Sequence, residues 1–297
     1  MTDLTLKNNA ALTVSVIIPH YRDQARLRLC LDSLRAQTLS VDAFEIIVAD
    51  NDTPGGIADI VKAYPDVQFI NVTERGAAPA RNAAMDIARG DVFAFIDSDC
   101  VASQEWLAEG LKGLETADYV GGAINVSIAT DDEPTPVEAF ELVFGFRQHL
   151  YLKRKQFSAT ANLFVHRATA KSIGPFTNAV AEDLDWGQRA AALGFRLAFN
   201  VNSIVSHPAR RDWSELILKW DRLIQERWNG FRRHHPLGRL KWVLLATVTA
   251  FSLAPHIWQV ATSKKLERLQ DRAAAVGVLA RIRLWRARKM LAMLGGH

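Results

Sequence analysis

The sequence predicts an α/β domain built on a doubly wound, mostly parallel sheet, followed by a basic helical region. Two observations carry this. Short apolar, β-branched runs alternate with amphipathic stretches through residues 14–115. The charge is also divided: residues 1–206 carry 18 Lys/Arg against 26 Asp/Glu, net −8, and residues 207–297 carry 18 against 6, net +12. An acidic globular part is thus joined to a basic, surface-seeking tail of the kind drawn to nucleic acid or anionic lipid. With 297 residues, 49% of them hydrophobic, the chain can bury a sizeable core in one large domain or two small ones.

VSVIIP (14–19), closed by Pro19, reads as a buried strand. In LRLCLDSLRAQ the apolar Leu27, Cys30, Leu31 and Leu34 follow the i, i+3, i+4, i+7 spacing of an amphipathic helix. FEIIVAD (44–50) is a second strand ending in an acid, and TPGG with IADIVKAY gives a loop and a helix. VQFINV (67–72) is a third strand. Pro79 stands at the start of ARNAAMDIA, a helix stopped by Gly90. VFAFID (92–97) is the fourth strand, and QEWLAEGLKGLE the helix after it.

Beyond Tyr119 the alternation loosens. YVGGAINVSI reads as strand, EAFELVFGFRQHLYLKR as a helix running into a loop, ATANLFVHR as strand and EDLDWGQRAAALG as a helix ended by Gly194. FRLAFN and SIVSH read as two short strands. WSELILKWDRLIQERW then sets Trp213, Leu216, Ile217, Trp220, Leu223 and Ile224 on one helical stripe, a packing face. The expected division is a nucleotide-binding domain over 1–210 and a helical region over 211–297, with an uncharged apolar segment at 242–263. Cys30 and Cys100 fit neither a disulfide framework nor zinc spacing and read as buried thiols of a reducing compartment. The polar N-terminus MTDLTLKNNAALT lacks a signal-peptide layout, so the domain is expected in the cytosol.

In open α/β sheets ligands bind beyond the carboxyl ends of the strands. Asp50 and Asp52 follow the second strand there, and Asp97 and Asp99 the fourth. No glycine lies between Val14 and Asp50, which excludes a dinucleotide fingerprint or P-loop in the first βα turn. Asp-x-Asp at a strand end suits a hard divalent cation that shares its remaining sites with water and substrate phosphates. Such acids are also ordinary turn residues, so the motif needs company.

That company is VSVIIPHYRDQARLRLCLDSLRAQT, EIIVADND, RGAAPARNAAMDIARGDVFAFIDSDC, ATANLFVHR and AEDLDW, followed by His207. In this order the segments resemble a family 2 glycosyltransferase with the GT-A fold over residues 14–207. The resemblance implies an inverting transferase using a nucleotide-sugar donor, usually a UDP-sugar, with Mg²⁺ or Mn²⁺. It further implies that Pro19, His20 and Tyr21 line the nucleotide pocket and that Asp50 receives the base. It implies too that Arg81 and Asp97 help to hold the nucleotide, with Ser98 between the acids on the donor side. Asp99 is the implied metal ligand, Asp183 of the Glu182-Asp183 pair the implied base, and His207 falls where many members carry a further metal ligand.

Each residue also has a plainer reading. By type, Asp50 also suits a loop cap, Arg81 a surface helix position, and Glu182 and Asp183 the first turn of a helix through its dipole. Asn162 either orders the acceptor side or satisfies loop backbone. Trp186 is a further acceptor-side candidate, as are Arg227 and Trp228, whose QERW (225–228) is similar to the QxxRW signature of processive synthases.

The rival functions each lack something. A sugar nucleotidyltransferase needs a glycine-rich phosphate loop after the first strand, and a processive synthase needs several membrane spans where this chain offers one candidate at most. A non-enzymatic sugar- or nucleic-acid-binding protein leaves Asp50, Asp97, Asp99, Glu182 and Asp183 unexplained. The expected partners are a nucleotide-sugar, a glycan or lipid-linked acceptor met by loops within 129–160, and an anionic membrane surface, with no nucleic acid. Residues 237–297 are expected on the cytoplasmic face of the cell membrane, bent at Pro255, with Trp242, Trp258 and Trp285 in the interface.

Overall fold

The computed structural model describes residues 13–128, 133–178, 181–234 and 238–295. The N-terminal residues 1–12 and residues 129–132 of the expected acceptor loop lie outside the described residues. The chain forms two compact units, residues 1–125 with 147–207, and residues 126–146 with 208–297. The expected 1–210 domain therefore gives up an internal segment, 126–146, to the second unit.

The strands are β1 (Val14–His20), β2 (Phe44–Asp50), β3 (Gln68–Asn71), β4 (Val92–Phe95), β5 (Val101–Ala102), β6 (Tyr119–Ser127), β7 (Leu163–His166) and β8 (Leu197–Pro208). They form one sheet in the order β3-β2-β1-β4-β7-β6-β8-β5. Helices α1 (Gln24–Arg35), α2 (Ala58–Ala63), α3 (Ala77–Ile87) and α4 (Trp106–Leu114) alternate with the early strands. They are followed by α5 (Pro136–Phe144), α6 (Gln148–Lys155), α7 (Arg167–Ile173) and α8 (Glu182–Ala192). The chain ends in α9 (Trp213–His234), α10 (Gly238–Phe251), α11 (Ala254–Ala261) and α12 (Leu269–Ala292).

The sheet is mixed. β1 pairs in parallel with β2 and β4, and β2 with β3, whereas β4–β7, β6–β7 and β5–β8 are antiparallel. The β-branched runs of β1, β2 and β4 are buried on both faces, as parallel strands under helices must be. Parallel register aligns their carboxyl ends: His20 stands opposite Asp50, and Ile17 opposite Phe95. The antiparallel pairing Phe95↔Leu163 brings the turn before β7 to the same edge.

Several expectations are corrected here. FRLAFN and SIVSH belong to one strand, β8, because Asn200 and Ser203 on either side of the junction are anchored rather than turned. Asn200 Nδ2 donates to the Glu109 carbonyl (2.7 Å), and Ser203 Oγ to the Trp106 carbonyl (3.2 Å). The stretch 138–154, expected as a helix running into a loop, is two helices, separated where Gly145 ends α5. The bend in the tail falls at Ser252–Leu253, with Pro255 in the first turn of α11, where its missing N–H costs no hydrogen bond.

Asn162 and Trp186 are not acceptor-side groups. Asn162 is 0% exposed, and its amide is used up by the core. Its Oδ1 accepts from Trp106 Nε1 (2.9 Å), while Nδ2 donates to the carbonyls of Ala123 (2.8 Å) and Ser203 (2.9 Å). Trp186 is 1% exposed, stacks on Phe176 at 5.3 Å and meets Tyr119 edge-on at 5.8 Å. Its indole N–H is spent on the Gly174 carbonyl (3.1 Å). A polar or aromatic residue type in a motif does not reveal which way its side chain turns.

In the second unit, Val137, Ala139 and Phe140 of α5 pack with Leu216 of α9, Val260 of α11 and Leu279 and Ile282 of α12. The buried Glu141 is held by Arg210 and Lys219, each at 3.0 Å. These contacts explain why 126–146 joins the C-terminal helices.

Asn162→Ala would orphan one donor and two carbonyls in a site that water does not reach. We expect a loss of about 3 kcal/mol or more in urea unfolding. A loss below about 1 kcal/mol would show that those groups find other partners.

Candidate active site

The ends of β1, β2 and β3 enclose a cavity of about 760 Å³. Tyr21, Asp50, Thr53, Phe69, Asn71 and Arg75 are among its walls, with the loop from Asp52 to Ile57. Asp50 is fixed from three directions. His20 Nδ1 donates to Oδ1 (2.7 Å), as does Thr53 Oγ1 (2.6 Å), and the Thr53 N–H donates to Oδ2 (3.1 Å). Asn51 ties the floor together: its Nδ2 donates to the Val72 and Glu74 carbonyls, and its Oδ1 accepts from the Gly76 N–H. Gly76, at φ 127°, supplies a backbone conformation that side chains disfavour.

Of the residues expected around a nucleotide, Tyr21 and Asp50 line this cavity. Pro19 and His20 do not, and His20 acts through Asp50 instead. Its Nε2 is buried without a hydrogen-bond partner among the described residues. Asp52, expected at this strand edge, lines the cavity too, whereas Arg22, Asn71 and Arg75 were not singled out from the sequence. The available signal was the TPGG turn, which marks a loop at the strand edge. Asp52 adopts φ 57°, a left-handed conformation that Asp tolerates better than most residues.

A second cluster lies past β4. The turn after Phe95 carries Asp97, the half-buried Ser98 and Asp99, closed by the Cys100 N–H on the Asp97 carbonyl (3.0 Å). The chain then enters β5, where Val101 pairs with Ser206 and Ala102 with Val205. That register carries His207 to the acids, with Nε2 at 3.3 Å from Asp99 Oδ2. Burial pushes Asp99 above the ordinary carboxylate range; His207 opposes the shift and Asp97 adds to it.

Arg81, on α3 and 3% exposed, joins this turn to α8. One Nη donates to Asp97 Oδ1 (2.8 Å), and the other to Glu182 Oε1 (3.1 Å). Burial works against its charge, but Asp97, Asp183 and Glu182 outweigh that and hold its pKa above the usual value. Arg81 is thus a buried structural charge facing acids, not a surface helix residue.

Asp183 is the second residue of α8, and its Oδ1 accepts from Thr160 Oγ1 (2.8 Å). It is pushed up to about 6, first by burial; Arg81 opposes, Glu182 reinforces, the Thr160 bond opposes and Asp97 reinforces. A carboxylate that protonates near neutrality is suited to accept a proton. Thr160 was missed because its role depends on the β4–β7 pairing. Arg227 and Trp228 belong to the second unit, where Trp228 packs on Trp242 at 4.9 Å between ring centres.

Four carboxylates, Asp97, Asp99, Glu182 and Asp183, are therefore gathered around Arg81 and His207, with Arg26 also acting on Asp99. No group of three or more metal-ligating side chains occurs among the described residues. The Asp99–His207 pair fits a cation that completes its shell with water and phosphate oxygen.

Asp183 also makes stability depend on pH. Its folded pKa of about 6 lies above that of an unfolded Asp, so between those values the folded state binds more protons and stability falls as pH rises. The cost is complete above the folded value. Asp183→Asn should remove it, raising stability at pH 8 by up to about 3 kcal/mol and by little at pH 4. Thr160→Val should push Asp183 higher still, as read from its carboxyl carbon by NMR titration, while Thr160→Ser preserves the parent value.

The family model described as "Glycosyl transferase family 2" matches residues 15–173. Glycosyltransferase AglE of Haloferax volcanii is 31% identical over 215 residues, covering 69% of this chain and 70% of that one. Pre-mycofactocin glycosyltransferase of Mycobacterium tuberculosis is 27% identical over 67% of this chain and 44% of that one, and four further relatives match over 29–35% of this chain and 16–27% of their own lengths. Among solved structures, the mannosyltransferase PcManGT of Pyrobaculum calidifontis, in complex with GDP-Man and Mn²⁺, superposes with a TM-score of 0.60 at 19% identity over 95% of this chain and 86% of that one. S. aureus TarS residues 1–349 with UDP-GlcNAc gives 0.53 at 18% identity over 94% and 88%. These structures share the fold of a chain that belongs to glycosyl transferase family 2.

Proposed function

We propose that this protein is an inverting glycosyltransferase that moves a sugar from a nucleotide-sugar, a UDP-sugar by preference, to a hydroxyl of a glycan or lipid-linked acceptor. The observation that carries this reading is Asp183: a half-buried carboxylate pushed up to about 6 and oriented by Thr160. The cavity at Asp50 and Tyr21 supports a nucleoside site, and solved relatives hold GDP-Man and UDP-GlcNAc.

In this reading the acceptor hydroxyl attacks the anomeric carbon from the face opposite the diphosphate and passes its proton to Asp183. Thr160 keeps one oxygen of Asp183 engaged, leaving the other for the acceptor. Arg81 holds Asp97 and Glu182 in place and offsets their charge beside the donor. Asp99 and His207 would hold Mg²⁺ or Mn²⁺, and the imidazole favours Mn²⁺. When bound, that ion supplies Lewis-acid stabilisation of the leaving diphosphate. A cytosolic nucleotide-sugar puts the reaction on the cytoplasmic side in this reading, and the length and apolar composition of Gly238–Ala261 support a membrane surface there.

Two substitutions separate binding from chemistry. Asp183→Asn should keep UDP affinity while transfer falls by about 10²–10⁴. Asp99→Asn should weaken Mn²⁺-dependent UDP binding itself, measured by calorimetry. If both bind UDP with Mn²⁺ like the parent, this division of labour is wrong.

Chelation gives a separate prediction. Excess EDTA should abolish release of UDP from the UDP-sugar donor, and Mn²⁺ or Mg²⁺ should restore it. Full activity in the chelator would remove the metal from the mechanism.

A further inference from the structure

We infer that the outward face of α10 and α11 docks onto an anionic lipid bilayer, with both helices lying in the membrane plane rather than crossing it. This deepens the membrane location proposed above and rests on the second unit alone. Trp242, Ala246 and Thr249 turn one face of α10 inward, with Trp242 and Ala246 packed against Met290 of α12. On the opposite face Leu240, Leu244, Val248 and Phe251 are exposed, Phe251 by 82%. α11 adds Ile257 and Trp258, the latter 70% exposed. A continuous apolar stripe of this kind is rare on a free soluble surface.

Charge identifies what covers it. Arg239 and Lys241 stand exposed at one end of the apolar segment, and Lys264 and Lys265 at the other. Residues 207–297 carry 18 Lys/Arg against 6 Asp/Glu. An apolar face rimmed by basic residues complements anionic headgroups above acyl chains, with an exposed tryptophan suited to the boundary.

Length does not decide between lying in the plane and spanning, because Gly238–Ala261 could cross. The neighbouring helix does decide it. α10 is fastened to α12 near both ends: Trp242 Nε1 donates to the Met290 carbonyl (2.8 Å), and Arg283 Nη1 to the Thr249 carbonyl (3.1 Å). α12 carries Arg272, Arg281, Arg283, Arg286, Arg288 and Lys289. A crossing α10 would draw these charges into hydrocarbon or tear away from its partner. An in-plane helix sinks only its apolar face.

The test uses the full chain and vesicles of phosphatidylcholine, with or without phosphatidylglycerol. Co-sedimentation should favour the anionic vesicles by about tenfold or more and weaken in high salt. Leu244→Glu with Phe251→Glu should remove binding without changing the thermal unfolding midpoint. Spin labels introduced by Leu240→Cys, Leu244→Cys, Val248→Cys and Phe251→Cys, one at a time, report depth, since Cys30 and Cys100 are buried. Equal, shallow depths support the proposal, and a gradient passing the bilayer centre overturns it in favour of a span. Absence of vesicle binding overturns it too; self-association that Leu244→Glu abolishes would then assign the face to a second copy. Release of UDP from UDP-sugars in vesicle-free solution tests the enzymatic reading separately, so either can fail alone.

Discussion

The buried guanidinium of Arg81 is the constraint on which the acidic centre depends. Carboxylates brought together out of water repel one another and tend to protonate. One fixed cation between Asp97 and Glu182 lets those two acids remain close, and its field restrains the rise in Asp183. Of the three elements involved, α3 and the turn after β4 are neighbours in sequence, and α8 lies about a hundred residues further along. Beside the hydrophobic cluster that α3, β4 and α8 share, an ion-pair network joins them, which explains why Arg81 is buried although no burial pattern calls for an arginine there.

The two clusters follow from one property of the sheet. Parallel strands bring their carboxyl ends to one edge, so the nucleoside-sized cavity and the acidic turn both occur there without long excursions of the backbone. The change to antiparallel pairing at β7 adds what a purely parallel sheet would lack, because it returns Thr160 to that edge from the opposite chain direction. The cavity walls and the acidic turn thus come from the parallel half, and the hydroxyl bonded to Asp183 from the antiparallel half.

Much of this was legible in the sequence, for identifiable reasons. The strands carrying Asp50 and the Asp97-x-Asp99 turn are uninterrupted apolar runs, so both their existence and their exits could be read. His207 and Asp183 were legible only through the resemblance, since nothing in their local pattern separates them from ordinary strand-end and helix-start residues. Asn162 and Trp186 failed because burial depends on neighbours from distant elements: an asparagine surrounded by Trp106, Ala123 and Ser203 is core, whatever its type suggests. The allegiance of 126–146 was hidden similarly, because the apolar residues of α5 say that it packs but not on what.

β5 is only two residues long, yet it sets the meeting of Asp99 and His207. Side chains on a strand alternate between faces, so a shift of one residue in its pairing with β8 would point His207 away from the acids. The stretch from Ser203 to His207 is therefore constrained in length more tightly than in composition. Over evolutionary time it can exchange one β-branched residue for another, but a single insertion or deletion there would part the imidazole from its carboxylate. Loops on the far edge of the sheet face no such arithmetic, and natural length variation should be concentrated there.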